Sequence, residues 1–486
     1  MSTNLSPSAQ SQTTPYQPIT EAIADRLRAI IGDKYVIFGD DERLEPYSHD
    51  EIADPSYARM PECVVRPDNT TEIAAILRMA NEEHFPVTPR GAGSGLSGGA
   101  VPLFGGVVLL CDRMNRVIDF DRDNLTITVE PGMVTNEIND LVADDGLFYA
   151  GYPMSVETCF IGGNVAENAG GGKAVKYGVT GRYVIGLEVV TPKGEIMQLG
   201  GKLIKDVAGL NLLSLMTGSE GTLGIFTKIT LRLVPAPRAS VDLLVLFPTM
   251  AEAIQLVPKL MSVGGVVPTA IEFMDKLSVQ AACQYLNETI PYDKAGAMLL
   301  ITCDGTSASQ VETDYESIGN LCVKNNAIEV YVADNHTTSE RIWRIRRNIA
   351  EAFKVQSPIQ SLEDIVVPTA SIPAMVEGIE RIMAKYDVQI PCYGHAGDGN
   401  LHATPVINPT WSQAEWDRKL PSILNEMYLL TYELGGSITG EHGVGHKRIA
   451  DMERFGDPVF LETMRAIKKA LDPNLILNPG KIVTVE

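Results

Sequence analysis

The sequence predicts a chain of mixed helices and strands divided between domains, and three observations lead there. Its 486 residues exceed one ordinary core, and length alone suggests about two to four domains. As far as Pro237, beyond two helices, the apolar segments are short, strand-like and rich in intervening glycine. From about Ala239 helices alternate with single strands, which places a boundary near residues 235–240.

The first eighteen residues are polar, uncharged and rich in Ser, Thr, Gln and Pro. They lack the basic and apolar regions of a signal peptide and the arginines of a transit peptide, and read as a disordered tail. Ile23, Leu27, Ile30 and Ile31 then mark a helix closed by Gly32. A second helix begins near Asn69, with Glu72 completing a capping box and Ile73, Ile76, Leu77 and Ala80 facing inward. Val107 to Leu110, Thr126 to Glu130 and Ile185 to Val190 read as strands. Gly224 to Leu233 alternates through Ile225, Thr227, Ile229, Leu231 and Leu233. In the second half Met298 to Thr302 reads as a strand. Ser339 to Phe353 reads as a helix with Ile342, Ile349 and Phe353 on one side, and Met375, Ile379, Ile382 and Met383 line another. The last helix, around Pro458 to Leu471, runs into LDPNLILNPGK, whose prolines stop it.

A net charge of -21 argues against nucleic acid or an anionic membrane surface as partner. No apolar run approaches the roughly 18 residues that span a bilayer, so an integral membrane protein is not expected. The seven cysteines are scattered, with no C-x-x-C pair. They signal neither a zinc ribbon nor an iron–sulfur cluster, and read as reduced thiols of a cytoplasmic protein.

Four of the seven histidines fall in two glycine-punctuated stretches, GHAGDGNLH (Gly394 to His402) and GEHGVGH (Gly440 to His446). Imidazole titrates near neutrality and is the commonest metal ligand. Gly397 and Gly399 disfavour a helix, so a folded-back loop or bulged strand is expected. There His395 and His402 could converge with Glu441, a two-His, one-carboxylate set suited to Zn and open to Mn or Fe. Asp398, between two glycines, is expected to shape the turn, and His446 to be peripheral.

The strand-like Val87 to Arg90 runs into GAGSGLSGG, Gly91 to Gly99. Gly93, Gly95 and Gly98 satisfy the dinucleotide pattern G-x-G-x-x-G, but no helix follows; Pro102 and two more glycines lead to a strand. What remains is a run of unobstructed backbone N–H groups, an anion-binding concavity. GGNVAENAGGG (Gly162 to Gly172) and GSEGTLGIF (Gly218 to Phe226) lie in the same half, and three such loops suit a long, extended ligand.

Taken together, PRGAGSGLSGG, CFIGGNVAENAGG, TGSEGTLGI, GHAGDGNLH, GEHGVG and NPGK resemble the vanillyl-alcohol-oxidase-type FAD enzymes. Among these the chain is similar to the D-2-hydroxyacid dehydrogenases, which include glycolate oxidase flavin subunits and D-lactate dehydrogenases. The resemblance implies an α+β fold: a PCMH-type FAD-binding domain of two small sheets, then a substrate domain on an antiparallel sheet with helices. On this basis residues 1–18 are tail, 19–57 an N-terminal helical segment and 58–238 the FAD-binding domain. Residues 239–430 form the substrate domain, and 431–486 return to the flavin.

By the same resemblance Arg90, Gly91, Ala92, Gly93, Ser94, Gly95, Leu96, Ser97 and Gly98 surround the pyrophosphate. Pro153, Thr158, Gly162, Gly163 and Asn168 follow the flavin, Glu220, Gly221 and Ile225 lie toward the adenosine, and Asn478 approaches the isoalloxazine. His395, His402 and Glu441 hold a divalent metal, His442 is the general base and Arg346 grips the substrate carboxylate. Ser94 stands where many fold relatives carry a histidine bonded to FAD, so a non-covalent flavin is expected. The implied activity is oxidation of a small D-2-hydroxy acid, with electrons passed to an electron-transfer flavoprotein, an iron–sulfur subunit or a quinone-type acceptor. A dehydrogenase for D-2-hydroxyglutarate is the alternative; such enzymes carry a lysine shortly before a D-x-x-x-P segment. Here that segment is Asp364 to Pro368, no lysine occurs from Val355 to Val367, and the place falls near Leu362. A non-redox transferase like the alkylglycerone-phosphate synthases, and a non-catalytic flavin-binding subunit, are the other readings.

Overall fold

A computed structural model describes residues 15–485. The tail expected over residues 1–18 lies outside the described residues as far as residue 14. Beyond that the expectation fails. Tyr16 is buried, its hydroxyl donates to Leu475 O at 2.6 Å, and Gln17 N donates to His84 O at 2.9 Å.

The first half holds two small sheets. One has four strands, in the order Val36–Phe38, Cys63–Val65, Val107–Leu110 and Val87–Arg90. The last three run parallel and are almost wholly buried, which is why Val107–Leu110 is continuously apolar. Its first strand belongs to the segment expected to be only helical, so residues 19–57 also build the sheet. The helix Glu21–Ile31 packs Ile23, Leu27 and Ile31 into the same core, and Thr70–Glu83 adds Ile73, Ile76, Leu77 and Ala80. Asn69 caps the second helix by accepting from Glu72 N at 3.0 Å.

The other sheet is antiparallel, in the order Val117–Asp121, Thr126–Val129, Ile225–Arg232, Val184–Val190 and Ile196–Gly200. Ile225, Ile229 and Leu231 turn inward along its central strand, as the alternation requires.

Sheet membership changes between Val234–Pro235, which pairs with Leu147–Phe148, and Ala239–Phe247. The latter enters a seven-stranded antiparallel sheet ordered Glu329–Ala333, Ala239–Phe247, Ala297–Gly305, Ala270–Asp275, Cys392–His395, Asn400–Ala403 and Glu363–Val366. The helices Met250–Ser262, Ala308–Lys324 and Ile372–Tyr386 bury one face; Lys276–Leu286 and Ile349–Gln356 bury the other. The single helix expected over Ser339 to Phe353 is two, His336–Arg347 and Ile349–Gln356. Asn348 separates them because its side-chain amide donates to Arg344 O at 2.8 Å and competes with the helical ladder. After Pro458–Leu471 the chain comes back to the first half, where Val87 N donates to Ile476 O at 2.8 Å and Asn478 N to Val87 O at 2.8 Å. No helix among the described residues is long and apolar enough to cross a membrane.

Candidate active site

The two histidine stretches fold as their glycines demand. GHAGDGNLH is a hairpin: Cys392–His395, a short turn at Ala396–Asp398, then Asn400–Ala403. Asp398 shapes that turn by accepting from Asn400 N at 3.3 Å. His395 and His402 leave the two strands with rings 5.7 Å apart and nearly perpendicular. GEHGVGH has no regular structure, and its first part is folded by one buried carboxylate. Asp364 Oδ2 accepts from Thr439 Oγ1 (2.8 Å) and from the backbone N of Gly440 (2.9 Å), Glu441 (2.9 Å) and His442 (2.8 Å). Its Oδ1 accepts from Asn400 Nδ2 at 2.6 Å. Burial opposes the charge on Asp364, yet the imidazoles of His442 and His402 help hold its carboxyl at about 2.

On this frame three imidazoles converge. Glu441 Oε1 stands 3.0 Å from His402 Nε2, 3.3 Å from His395 Nε2 and 3.8 Å from His442 Nε2. Proximity also groups Asp364 with His402, Glu441 and His442, their ligand atoms all within 4.8 Å of one another. The two sets share His402 and Glu441. Asp364 is the poorer ligand because both its oxygens already accept strong hydrogen bonds, whereas His395 Nε2 is buried with no hydrogen-bond partner. Burial would depress His395, but the carboxylates of Glu272 and Glu441 raise its pKa well above the usual imidazole value. His442 is lowered to about 4, chiefly by burial, and is neutral at pH 7. His446 packs its backbone against Ser97 and does not join the group.

Arg346, from the helix His336–Arg347, is buried beside this cluster. Its Nε donates to Glu272 Oε2 at 2.7 Å, its guanidinium lies 5.2 Å from the Tyr393 ring centroid, and its Nη2 is buried without a partner.

One cleft joins these groups to the glycine loops. Arg90, Gly91, Ala92, Gly93, Ser94, Gly95, Leu96 and Ser97 line it, with Pro153, Gly162, Gly163, Glu220, Gly221 and Ile225; Arg346, His402, Glu441 and His442 line the same cleft. The loop after Val87–Arg90 stays open because Gly93 has φ +79°, and a Cβ there would lie 2.1 Å from the Arg90 guanidinium. The GGG of the second loop closes over the histidine cluster: a Cβ on Gly170 would lie 3.1 Å from Glu441 Cβ. An extended cofactor whose one end meets the glycine loops and whose other end meets the histidines fits this cleft.

Several expected cofactor contacts have other roles. Gly98 N donates to Asp50 Oδ2 at 2.7 Å, and the exposed Thr158 closes a local turn with Ser155. Asn168, in the left-handed conformation after the helix Ile161–Glu167, accepts from Gly181 N at 2.8 Å. Asn478 stands behind the cradle, donating to Gly99 O (3.0 Å) and Glu220 O (2.8 Å). Glu220 lines the cleft, but its carboxylate accepts from Val444 N (2.8 Å) and Gly445 N (2.6 Å), tying the third glycine loop to GEHGVGH. None of Gly98, Thr158, Asn168, Asn478 and His395 lines the cleft itself.

Residues 61–200 match the model of an FAD binding domain, and residues 236–482 match the C-terminal domain of FAD linked oxidases. The chain belongs to the FAD-linked oxidases. This oxidase is 40% identical over 464 residues to glycolate oxidase subunit GlcD of Bacillus subtilis (strain 168), covering 96% of this chain and 97% of that protein. It is 37% identical to D-lactate dehydrogenase of Anaerostipes hadrus, covering 96% and 98%. Among solved structures, p-cresol methylhydroxylase with substrate bound superposes with a TM-score of 0.77 at 18% identity, covering 95% of this chain and 96% of that one. That likeness shows the PCMH-type fold.

Two residues at the centre of the oxidase's site have roles that the sequence reading did not assign: Glu272, and Asp364, which it used only to mark the D-x-x-x-P segment. Each is an acid inside a buried strand, in EDIV and AIEFMD, and a carboxylate at such a place needs a partner.

Proposed function

We propose that this oxidase converts a small D-2-hydroxy acid, D-lactate or glycolate, to its 2-oxo acid. The observation that carries the reading is a single cleft shared by the glycine loops, by Arg346 with a free buried nitrogen, and by the convergent His402, Glu441 and His442. The printed activities of the two relatives, glycolate oxidase and D-lactate dehydrogenase, point to the same substrates.

Bound FAD supplies the acceptor for the C2 hydride, and a divalent ion (Zn, Mn or Fe) supplies Lewis acidity at the C2 hydroxyl. His395, His402 and Glu441 would hold the ion. Their donor set is right, and the carboxylates Glu272 and Glu441 call for positive charge where His395 now provides it as a proton; metal binding releases such protons. Arg346 offers its free nitrogen to the substrate carboxylate, a charge-assisted bond that fixes the C2 end. Neutral His442 is placed to take the hydroxyl proton, worth roughly 10²–10⁴-fold in rate. Ser94 in the cradle leaves the flavin non-covalent. All seven cysteines are buried and unpaired, so no second redox centre is built from them. Electrons pass to a separate protein, an electron-transfer flavoprotein or iron–sulfur subunit, or to a quinone-type acceptor.

Small monocarboxylates are favoured over D-2-hydroxyglutarate because Leu362 lines the cleft and no lysine does. Arg347, the other cleft cation near Arg346, is paired with Glu340. A second carboxylate would be desolvated without a free partner, which is costly. The deciding experiment is anaerobic absorbance of the purified protein during addition of D- and L-2-hydroxy acids. D-lactate or glycolate should bleach the flavin band. A flavin bleached by no member of the panel defeats the oxidative reading, and a higher kcat/KM for D-2-hydroxyglutarate than for both small acids defeats the substrate assignment.

A further inference from the structure

Glu272 lies in the middle of the strand Ala270–Asp275 and is fully buried. Its two oxygens serve two different functional groups. Oε2 accepts from Arg346 Nε at 2.7 Å, and Oε1 makes a 2.7 Å hydrogen bond with His395 Nδ1. The far nitrogen of the same imidazole, Nε2, lies 3.3 Å from Glu441 Oε1 and makes no hydrogen bond. One carboxylate therefore stands between the arginine for the substrate and the histidine for the metal, joining residues 74 and 123 positions away in sequence.

We propose that Glu272 is a positioning residue that sets both groups at once: it fixes His395 as the Nδ1–H tautomer with Nε2 free to ligate, and orients Arg346 so that Nη2 faces the substrate carboxylate. The inference rests on the proposed function. A ligating histidine needs a hydrogen-bond acceptor at its other nitrogen, and removing that acceptor typically costs 10–100-fold in metal affinity or activity. The guanidinium is a rigid fork, so anchoring Nε fixes where the remaining donors point. Both demands meet in a group that must accept twice, in two directions, from inside the core. Only an ionised carboxylate of this length does so. Glutamine has one acceptor and one donor face, and can satisfy either Arg346 or His395 while opposing the other. Aspartate keeps the charge but is one methylene shorter, and cannot reach both.

The test uses the full-length flavoprotein as wild type, E272Q and E272D. Metal affinity is read by competition of Zn or Mn against a chelating dye, and kcat and KM by steady-state oxidation of D-lactate and glycolate. FAD content and the melting transition report folding, and E272D, with charge retained, keeps the experiment decisive if E272Q does not fold. Both variants are expected to bind metal 10–100-fold more weakly and also to show a raised KM, with FAD content unchanged. A glutamate acting only as core filler predicts a lower melting temperature with metal affinity and KM intact, and that result overturns the inference. So does loss of metal affinity with KM unchanged, because Glu272 would then serve His395 alone. A wild type without measurable metal affinity defeats the metal part of the proposed function and with it this coupling. Wild-type affinity and KM matched by both variants defeats the inference alone.

Discussion

Asp364 is the point at which the candidate site is most exposed to a single substitution. Four donors from residues 439 to 442 end on one oxygen at 2.8–2.9 Å, and two of them belong to the backbone of Glu441 and His442 themselves. Asp364→Asn keeps shape and removes charge. Asn400 can turn its amide to match, since its Oδ1 is buried and unpartnered, but only by giving up its Nδ2 bond to Ile365 O at 3.1 Å. The four bonds then fall from the charge-assisted to the neutral class, about 1 kcal/mol each. Part of that is returned because a buried charge no longer has to be desolvated. The depressed carboxyl, at about 2 against an ordinary 3.8, is a separate effect of roughly 2–3 kcal/mol, set against burial by the charges of His442, His402 and Arg448. Its sign is that of a stabilised carboxylate: the contribution is complete above about pH 4 and lost as pH falls through about 2.

If the four bonds are what keep the 439–442 loop in place, Asp364→Asn should lower kcat/KM by roughly 10–100-fold. Asp364→Ala leaves the same donors buried and unpaired, at about 1–3 kcal/mol each, and should abolish measurable turnover. Steady-state kinetics with D-lactate or glycolate and an artificial dye gives the first number. Hydrogen exchange of the Gly440, Glu441 and His442 amides, read by mass spectrometry, shows whether the loop has opened. Asp364→Ala with kcat/KM within twofold of wild type and unchanged amide protection would refute the reasoning.

Replacing His395, His402 or Glu441 by Ala should remove metal and most activity while FAD stays bound, whereas His442→Ala should keep the metal and slow flavin reduction by about 10²–10⁴-fold; full activity in metal-stripped enzyme contradicts both. Acid or heat denaturation should leave free FAD in solution and a colourless pellet, because Ser94 offers no bond to the flavin; a yellow pellet is the opposite result. With His442 lowered to about 4, kcat/KM should rise with pH through about 4 and be level by pH 6, so an acid limb centred near 6.5 counts against burial as the cause. Hydrogen peroxide should form far more slowly than dye is reduced, and matching rates would remove the need for a separate acceptor.

What the sequence could reveal follows from where each signal is stored. Helix and strand signals are local. Pro458–Leu471 and Val107–Leu110 have the bounds their patterns suggest, and the hairpin of GHAGDGNLH follows from its glycines. The break at Asn348 was missed because apolar spacing continues across it, and only the side-chain bond to Arg344 O shows the competition. Within the site, motifs marked groups with glycine or histidine around them and overlooked those without. Asn478 and Asn168 belong to motifs but act as backbone staples. Glu272 belongs to none, Asp364 only opens the D-x-x-x-P segment used for substrate choice, and their partners stand 36 to 123 residues away. A buried acid in a strand tells the reader that a partner exists and not which one.

The arrangement has a consequence for how the two halves of the chain cooperate. The glycine loops belong to the first half, the imidazoles and Arg346 to the second, and the cleft exists only where they meet. Among the contacts that hold that meeting, three lie at the cleft: Glu220 accepts from Val444 N and Gly445 N, His446 N donates to Ser97 O at 2.9 Å, and Gly170 lies against Glu441. All three fall on GEHGVGH or its neighbours, and Asp364 folds that loop from the other side. The loop is thus bound on one flank to the flavin cradle and on the other to the seven-stranded sheet. Reacting groups must be held close to their productive separation, and small displacements cost large factors in rate. A loop fastened to both halves places Glu441 and His442 by the same contacts that join the cradle to the sheet. Loosening either flank should therefore impair catalysis before it impairs cofactor binding, since the loops that line the cradle keep their own packing in the first half.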